Sequence, residues 1–80
     1  GGPAMIFEKL QEMLVNQLGI DKDKVTPDAD IIKDIGADSL DIVEMLMDVE
    51  NEWGITVDDD AVKDLHTIGD IVKYIENNKK

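Results

Sequence analysis

The sequence contains no cysteine, no arginine and a single histidine. Without cysteine there is no disulfide, no thiolate nucleophile and no cysteine-ligated zinc. One histidine and no arginine leave little material for acid–base catalysis. The eight basic residues are all lysine and stand against nineteen acids, a formal charge of −11 at neutral pH. So acidic a chain suits neither nucleic acid nor an anionic membrane surface, both of which require basic patches. No apolar run reaches the roughly 18 residues that a membrane span needs. Eighty residues make one small domain, and a hydrophobic content of 42% supplies a modest core. A deep substrate pocket is hard to build at this size, so a binding or carrier module is expected rather than an enzyme.

Gly1-Gly2-Pro3-Ala4 carries no periodicity and reads as a remnant ahead of a native start at Met5, with the domain spanning 5–80. Glu8 and Glu12 interrupt the first apolar segment, so it is no signal peptide, and a cytoplasmic protein is expected, with an organelle reached through a cleaved leader as the alternative. Ile6, Leu10, Met13, Leu14 and Leu18 share one helical face, which predicts a helix from about Ile6 to Leu18 that Gly19 ends. A long connection follows, from Ile20 to Ala37, which Val25, Ile31, Ile32 and Ile35 are expected to pin to the core, with a short helical turn over Ile31–Ile35. Asp38 suits the N-cap of a second helix, and Asp41 completes a variant capping box. That helix runs to about Trp53 and stops at Gly54. Ile55-Thr56-Val57 reads as extended, and Asp58-Asp59-Asp60 opens a short helix through Leu65. Thr67-Ile68-Gly69-Asp70 repeats the capping pattern ahead of a last helix carrying Ile68, Ile71, Val72 and Ile75 on one face, with Asn77-Asn78-Lys79-Lys80 frayed. The fold class is all-α: a four-helix bundle with three main helices, one short helix and a long first loop.

The charge is unevenly placed. Asp28 to Asp60 holds twelve acids and one base, Lys33, and so carries the whole net charge, while the remainder sums to zero. This asymmetry points to an acidic surface that meets basic partners. Advancing about 100° per residue along the second helix gathers Ile42, Met45, Leu46, Val49 and Trp53 on one arc, and Leu40, Val43 and Met47 on another, with Glu50 between them. The residues alone leave the second arc open to two readings: a docking surface flanked by carboxylates, or a face covered by neighbouring helices.

Ser39 falls in the first turn of this helix. A phosphate ester there would meet free backbone N–H groups and the positive end of the helix dipole. A serine at that position also serves as an ordinary cap, and spacing by itself leaves both roles open. Gly36-Ala37-Asp38-Ser39-Leu40-Asp41 resembles the attachment motif of acyl carrier proteins, and the resemblance extends over nearly everything from Ile6 to Glu76. It implies that Ser39 carries 4′-phosphopantetheine through a phosphodiester, and that the terminal thiol of this arm holds acyl groups as thioesters. That thiol would supply the sulfur the chain lacks. The resemblance further implies that Asp38 assists recognition by the transferase and its metal. Leu40, Asp41, Val43, Glu44, Met47 and Glu50 match the family's partner-binding helix. The implied partners are a phosphopantetheinyl transferase, a ketosynthase and other fatty acid synthesis enzymes with basic docking patches, met by a monomer. Trp53, Gly54, Asn51 and Asp58 depart from the family's usual residues, away from the attachment site.

A discrete polyketide or specialised acyl carrier, and an unmodified acidic interaction bundle, are the alternatives. A calcium loop beginning at Asp28 fails twice, because its sixth position is Lys33 and its twelfth is Ser39. A hydrolase built on Ser39, His66 and an aspartate finds no oxyanion hole in the sequence.

Overall fold

The computed structural model describes residues 3–79, so Gly1, Gly2 and Lys80 lie outside the described residues. Four α-helices form: α1 (Pro3–Leu18), α2 (Ser39–Trp53), α3 (Asp59–Val62) and α4 (Ile68–Asn78), with a 3₁₀ turn at Lys22–Lys24 in the first loop. There is no strand among the described residues, only an isolated antiparallel bridge between Asp30 and Thr67. The all-α bundle read from the periodicity is the observed fold. No helix among the described residues is long and apolar enough to cross a membrane.

α1 packs along α4 and along α2. Ile6, Leu10 and Leu14 of α1 meet Met45, Leu46 and Val49 of α2 and Ile68, Ile71, Val72 and Ile75 of α4 in one core. Met13 and Leu18 are half-buried at its margin. α1 starts at Pro3, earlier than the periodicity indicated, because proline fits a first helical turn, where its missing N–H has no intrahelical acceptor. α3 is shorter than expected. Asp64 and Leu65 donate to Ala61 and Val62 three residues back, so the chain tightens into a turn before Leu65. α4 runs through Asn77 and Asn78 instead of fraying there, since the Asn78 side-chain amide donates to the Tyr74 carbonyl at 2.8 Å.

The long loop is held from both sides. On the α1 side, the buried Gln11 amide donates to the carbonyls of Lys22 (3.1 Å) and Val25 (2.9 Å). On the α4 side, Ile31 donates to His66 O at 2.9 Å, Ile68 to Ala29 O at 3.0 Å, and Gly69 to Pro27 O at 2.8 Å. The Ile68 and Gly69 N–H groups are orphan donors of the first turn of α4, so the loop carbonyls complete that helix. Val25, Ile31 and Ile35 are buried as expected, together with Ala29 and Ala37. Ile32 is not: it is 65% exposed. The segment 31–34 forms a single turn, in which Ile31 and Ile35 lie one turn apart on the inner side and Ile32 is rotated away.

Carboxylates cap this framework. Asp30 Oδ1 accepts from Ile32 and Lys33, and Asp34 reaches back to Asp30 N at 2.8 Å. The Lys33 and Ile32 N–H groups hold the Asp30 carboxyl below the ordinary carboxylate range. At α4, Thr67 Oγ1 accepts from Asp70 N, while Asp70 Oδ2 accepts from Thr67 N (3.1 Å) and His66 N (3.0 Å). Those two N–H groups, Thr67 first, lower the Asp70 pKa despite some desolvation.

Two expectations follow from these contacts. A Cβ at Gly69 would stand 2.9 Å from Pro27 O, a backbone atom with little room to move. Alanine gains about 1 kcal/mol in helix propensity, but overpacking of this kind costs about 1–3 kcal/mol, so Gly69→Ala lowers the melting temperature. A rise on thermal denaturation would mean that the loop does not sit tightly on α4. Because Asp70 has a lowered folded-state pKa, its stabilisation is present above its unfolded value, near 4, and disappears as pH falls through the folded value. Asp70→Asn therefore melts a few degrees below the parent at pH 7, and the gap closes at lower pH. A gap that persists unchanged in acid would show that the charge does not contribute.

Candidate functional site

The first loop delivers its last residues to the start of α2 through Gly36, whose φ of 81° lies in the left-handed region that side chains disfavour. Ala37 is buried, and its N–H donates to Ile31 O at 3.1 Å. The chain therefore emerges at Asp38 from a fixed point. Asp38 is the N-cap: its Oδ1 accepts from Asp41 N at 2.9 Å, and Asp41 Oδ2 accepts from Asp38 N at 3.3 Å. The expected capping box is present.

Ser39 is the first helical residue and is exposed. The cap belongs to Asp38, so the Ser39 hydroxyl has no capping duty to perform. Among the described residues no hydrogen bond of that hydroxyl is found. The Ser39 and Leu40 N–H groups belong to the unsatisfied first turn, whose partial positive charge favours an anion close by. A phosphodiester on Ser39 fits this setting: its attachment atom is accessible, and the helix end faces it with donors.

α2 presents two apolar faces. Met45, Leu46 and Val49 are buried and Ile42 and Trp53 half-buried. Leu40, Val43 and Met47 are 65%, 52% and 56% exposed, so no neighbouring helix covers the second face. Of the two readings left open by the helical angles, the covered one is excluded.

The acids around this face differ in their employment. Asp41 is half-buried and engaged in the capping box. Glu50, matched to the partner-binding helix by resemblance, is half-buried, and its carboxylate accepts from Val57 N at 2.7 Å, tying α2 to the segment that leads into α3. The angular position of Glu50 beside the core arc is the reason: an acid there lies where the chain returns past the helix. Glu52 pairs with Lys9 across α1 and α2 at 3.0 Å, and this bond and charge raise the Lys9 pKa. Glu44 and Asp48 are exposed, and neither has a lysine partner among the described residues. The helical periodicity did not single out Gln17 of α1, whose Nε2 donates to Asp41 O at 3.1 Å and lies 3.4 Å from Glu44 Oε2. Only the approach of α1 to α2 reveals this contact.

Asp30 and Asp34 spend carboxylate oxygens on backbone N–H groups. His66 is exposed and lines a small opening of about 250 Å³ with Asp30, Ile31, Lys33, Ile42 and Leu65, an opening that Ser39 does not border.

A family model described as the phosphopantetheine attachment site matches residues 8–75. Acyl carrier proteins from Helicobacter pylori strains G27 and 26695 are each 45% identical to this chain over 74 residues, which cover 92% of it and 95% of each relative. The structure of the acyl carrier protein from Enterococcus faecalis matches with a TM-score of 0.82 at 28% identity, covering 99% of this chain and 100% of that one. With an accessible serine at the head of an acidic helix and this extent of similarity, the chain belongs to the acyl carrier protein family, whose members carry phosphopantetheine and are carriers rather than enzymes.

Proposed function

We propose that Ser39 is the attachment point of 4′-phosphopantetheine and that the chain carries acyl intermediates of fatty acid biosynthesis as thioesters on that arm. The observation that carries the assignment is the division of labour at the head of α2: Asp38 caps the helix, leaving the Ser39 hydroxyl exposed and free to be esterified. The arm supplies the thiol that the cysteine-free chain does not have. Asp38, the residue preceding Ser39, keeps one carboxylate oxygen clear of the cap bond, where a transferase and its metal can engage it.

The exposed Leu40, Val43 and Met47 form the centre of the docking surface, and Glu44, with the charge of Asp41 and Glu50 behind it, steers basic patches toward that surface. A phosphopantetheinyl transferase and a ketosynthase are the partners this chemistry suits. The carrier works in the cytoplasm, and it works as a monomer, since an excess of eleven negative charges opposes self-association of the acidic face.

Two measurements test this reading. Incubated with a phosphopantetheinyl transferase, coenzyme A and Mg²⁺, the protein gains the mass of one arm. Ser39→Ala gains none, while its melting curve stays close to the parent's because the Asp38 cap is intact. A modified alanine variant, or an unmodified parent, removes the assignment. For docking, Glu44→Lys slows association with the ketosynthase at low salt and flattens the salt dependence of the rate. Met47→Ala speeds dissociation, costing about 1–2 kcal/mol with little change in salt slope. An unchanged association rate for Glu44→Lys would make the acidic face mere solvated surface.

A further inference from the structure

A groove of about 610 Å³ lies between the start of α1, the first loop and α4, and no residue of α2 borders it. Gly69, Val72, Lys73 and Asn77 follow one another at the three- and four-residue spacing of a single α4 face. They extend over about 12 Å of helix axis. Phe7 stands half-buried on the α1 wall, and Pro27 closes the loop end. The groove opens at that end because position 69 carries no side chain, a Cβ there standing 2.9 Å from Pro27 O. The backbone offers a ligand little that is polar: Pro27 has no N–H, and its carbonyl accepts from Gly69 N at 2.8 Å. Phe7, Pro27 and Val72 make the lining apolar.

The polar groups are gathered on the α4 rim. The Glu76 carboxylate lies 3.7 Å from the Lys79 ammonium, so its charge is answered within α4. Lys73 is exposed and has no acidic partner among the described residues. Asn77, one turn further on, is exposed as well. An ammonium and an amide one turn apart present donors to a single anion. The stretch Asp28–Asp60, which carries the whole net charge, contributes no residue to the groove.

We infer that this groove binds a free alkyl carboxylate of medium length, with its hydrocarbon chain against Phe7, Pro27 and Val72 and its carboxylate held by Lys73 and Asn77. An apolar lining with a few polar groups at one edge is the make-up of small-molecule sites, which enclose about 300–1,000 Å³. Each methylene that leaves water favours the bound state. The extended strip along α4 suits a chain better than a compact ring. The unpaired ammonium selects an anionic head over a neutral or cationic one, and its hydrogen bond to a carboxylate is charge-assisted. The site is separate from Ser39 and from the exposed face of α2, so the inference goes beyond the carrier assignment and does not depend on it.

The test uses the full, unmodified chain. Decanoate, decanol and decyltrimethylammonium are each titrated below their micelle concentrations, while the side-chain resonances of Phe7, Val72 and Lys73 are followed beside those of Ile42 and Leu46. Decanoate is expected to shift the first three and to saturate. Decanol is expected to bind about tenfold more weakly, the loss of one charge-assisted hydrogen bond, and decyltrimethylammonium more weakly still. Lys73→Glu removes the preference for decanoate over decanol, and Phe7→Ala weakens both. Thermal melts show which variants are folded. No shift with decanoate, or shifts centred on Ile42 and Leu46, overturns the groove as the site, the latter placing the chain inside the bundle. Equal affinities of the parent for decanoate and decanol, or an unchanged decanoate affinity in Lys73→Glu, overturn the choice of a carboxylate. A folded Phe7→Ala that binds like the parent removes the apolar wall from the account. Should Phe7→Ala unfold, Lys73→Glu decides by itself, because it changes an exposed side chain without a partner.

Discussion

Three main-chain hydrogen bonds between the first loop and the start of α4, from Ile31 to His66, Ile68 to Ala29 and Gly69 to Pro27, hold that loop and the last helix in register. The loop closes its own local turns, yet Pro27 O, Ala29 O and Ile31 N find their partners across the molecule, and α4 begins with orphan N–H donors. Joining them satisfies both and requires a glycine at position 69, since Pro27 O occupies the space of a side chain. Gln11 closes the same loop from the opposite side. With both sides fixed, Ile31, Ile35 and Ala37 enter the core, and Asp38 and Ser39 are delivered to a defined place outside it.

That placement separates two functions within one turn of helix. Asp38 and Asp41 form a closed pair of hydrogen bonds that keeps α2 in place. Ser39 lies between them in sequence and takes no part in that pair. A serine used as the cap itself would hold its hydroxyl against the backbone, and esterification would then cost the helix its cap, about 1 kcal/mol. With the cap on the preceding residue, an anionic ester can be added without loss of that cap, and the helix end favours its charge.

The surface beside Ser39 combines an apolar face with carboxylates in different structural states. Asp41, Glu50 and Glu52 are each tied to a specific donor, whereas Glu44 and Asp48 remain without a cationic partner among the described residues. The tied acids contribute to the field around α2 while supporting the bundle, and the untied ones are free to exchange partners. Lysines that balance the charge lie mainly in α1, the loop start and α4, so the acidic field is not cancelled where it faces outward.

Local sequence determined the existence and order of the helices, the stops of α1 and α2 at Gly19 and Gly54, both capping boxes and the core faces of α1, α2 and α4, though not the outer bounds of α1, α3 and α4, because these features depend on neighbours within four residues and on a period of about 3.6. It also placed Ser39 at the head of an acidic helix. Other features depended on contacts between distant segments and had no local signature. The burial of Gln11 and Ala29, the outward turn of Ile32 and the need for Gly69 follow from how the loop crosses α1 and α4. The exposure of Leu40, Val43 and Met47 was undecided in the sequence, since a helical wheel shows which residues share a face and not whether another helix covers it. The engagement of Glu50 by Val57 and of Gln17 by Asp41 was likewise settled only when the chain folded back, because a side chain's charge is written in the sequence but its partner is set by which backbone passes within hydrogen-bond reach.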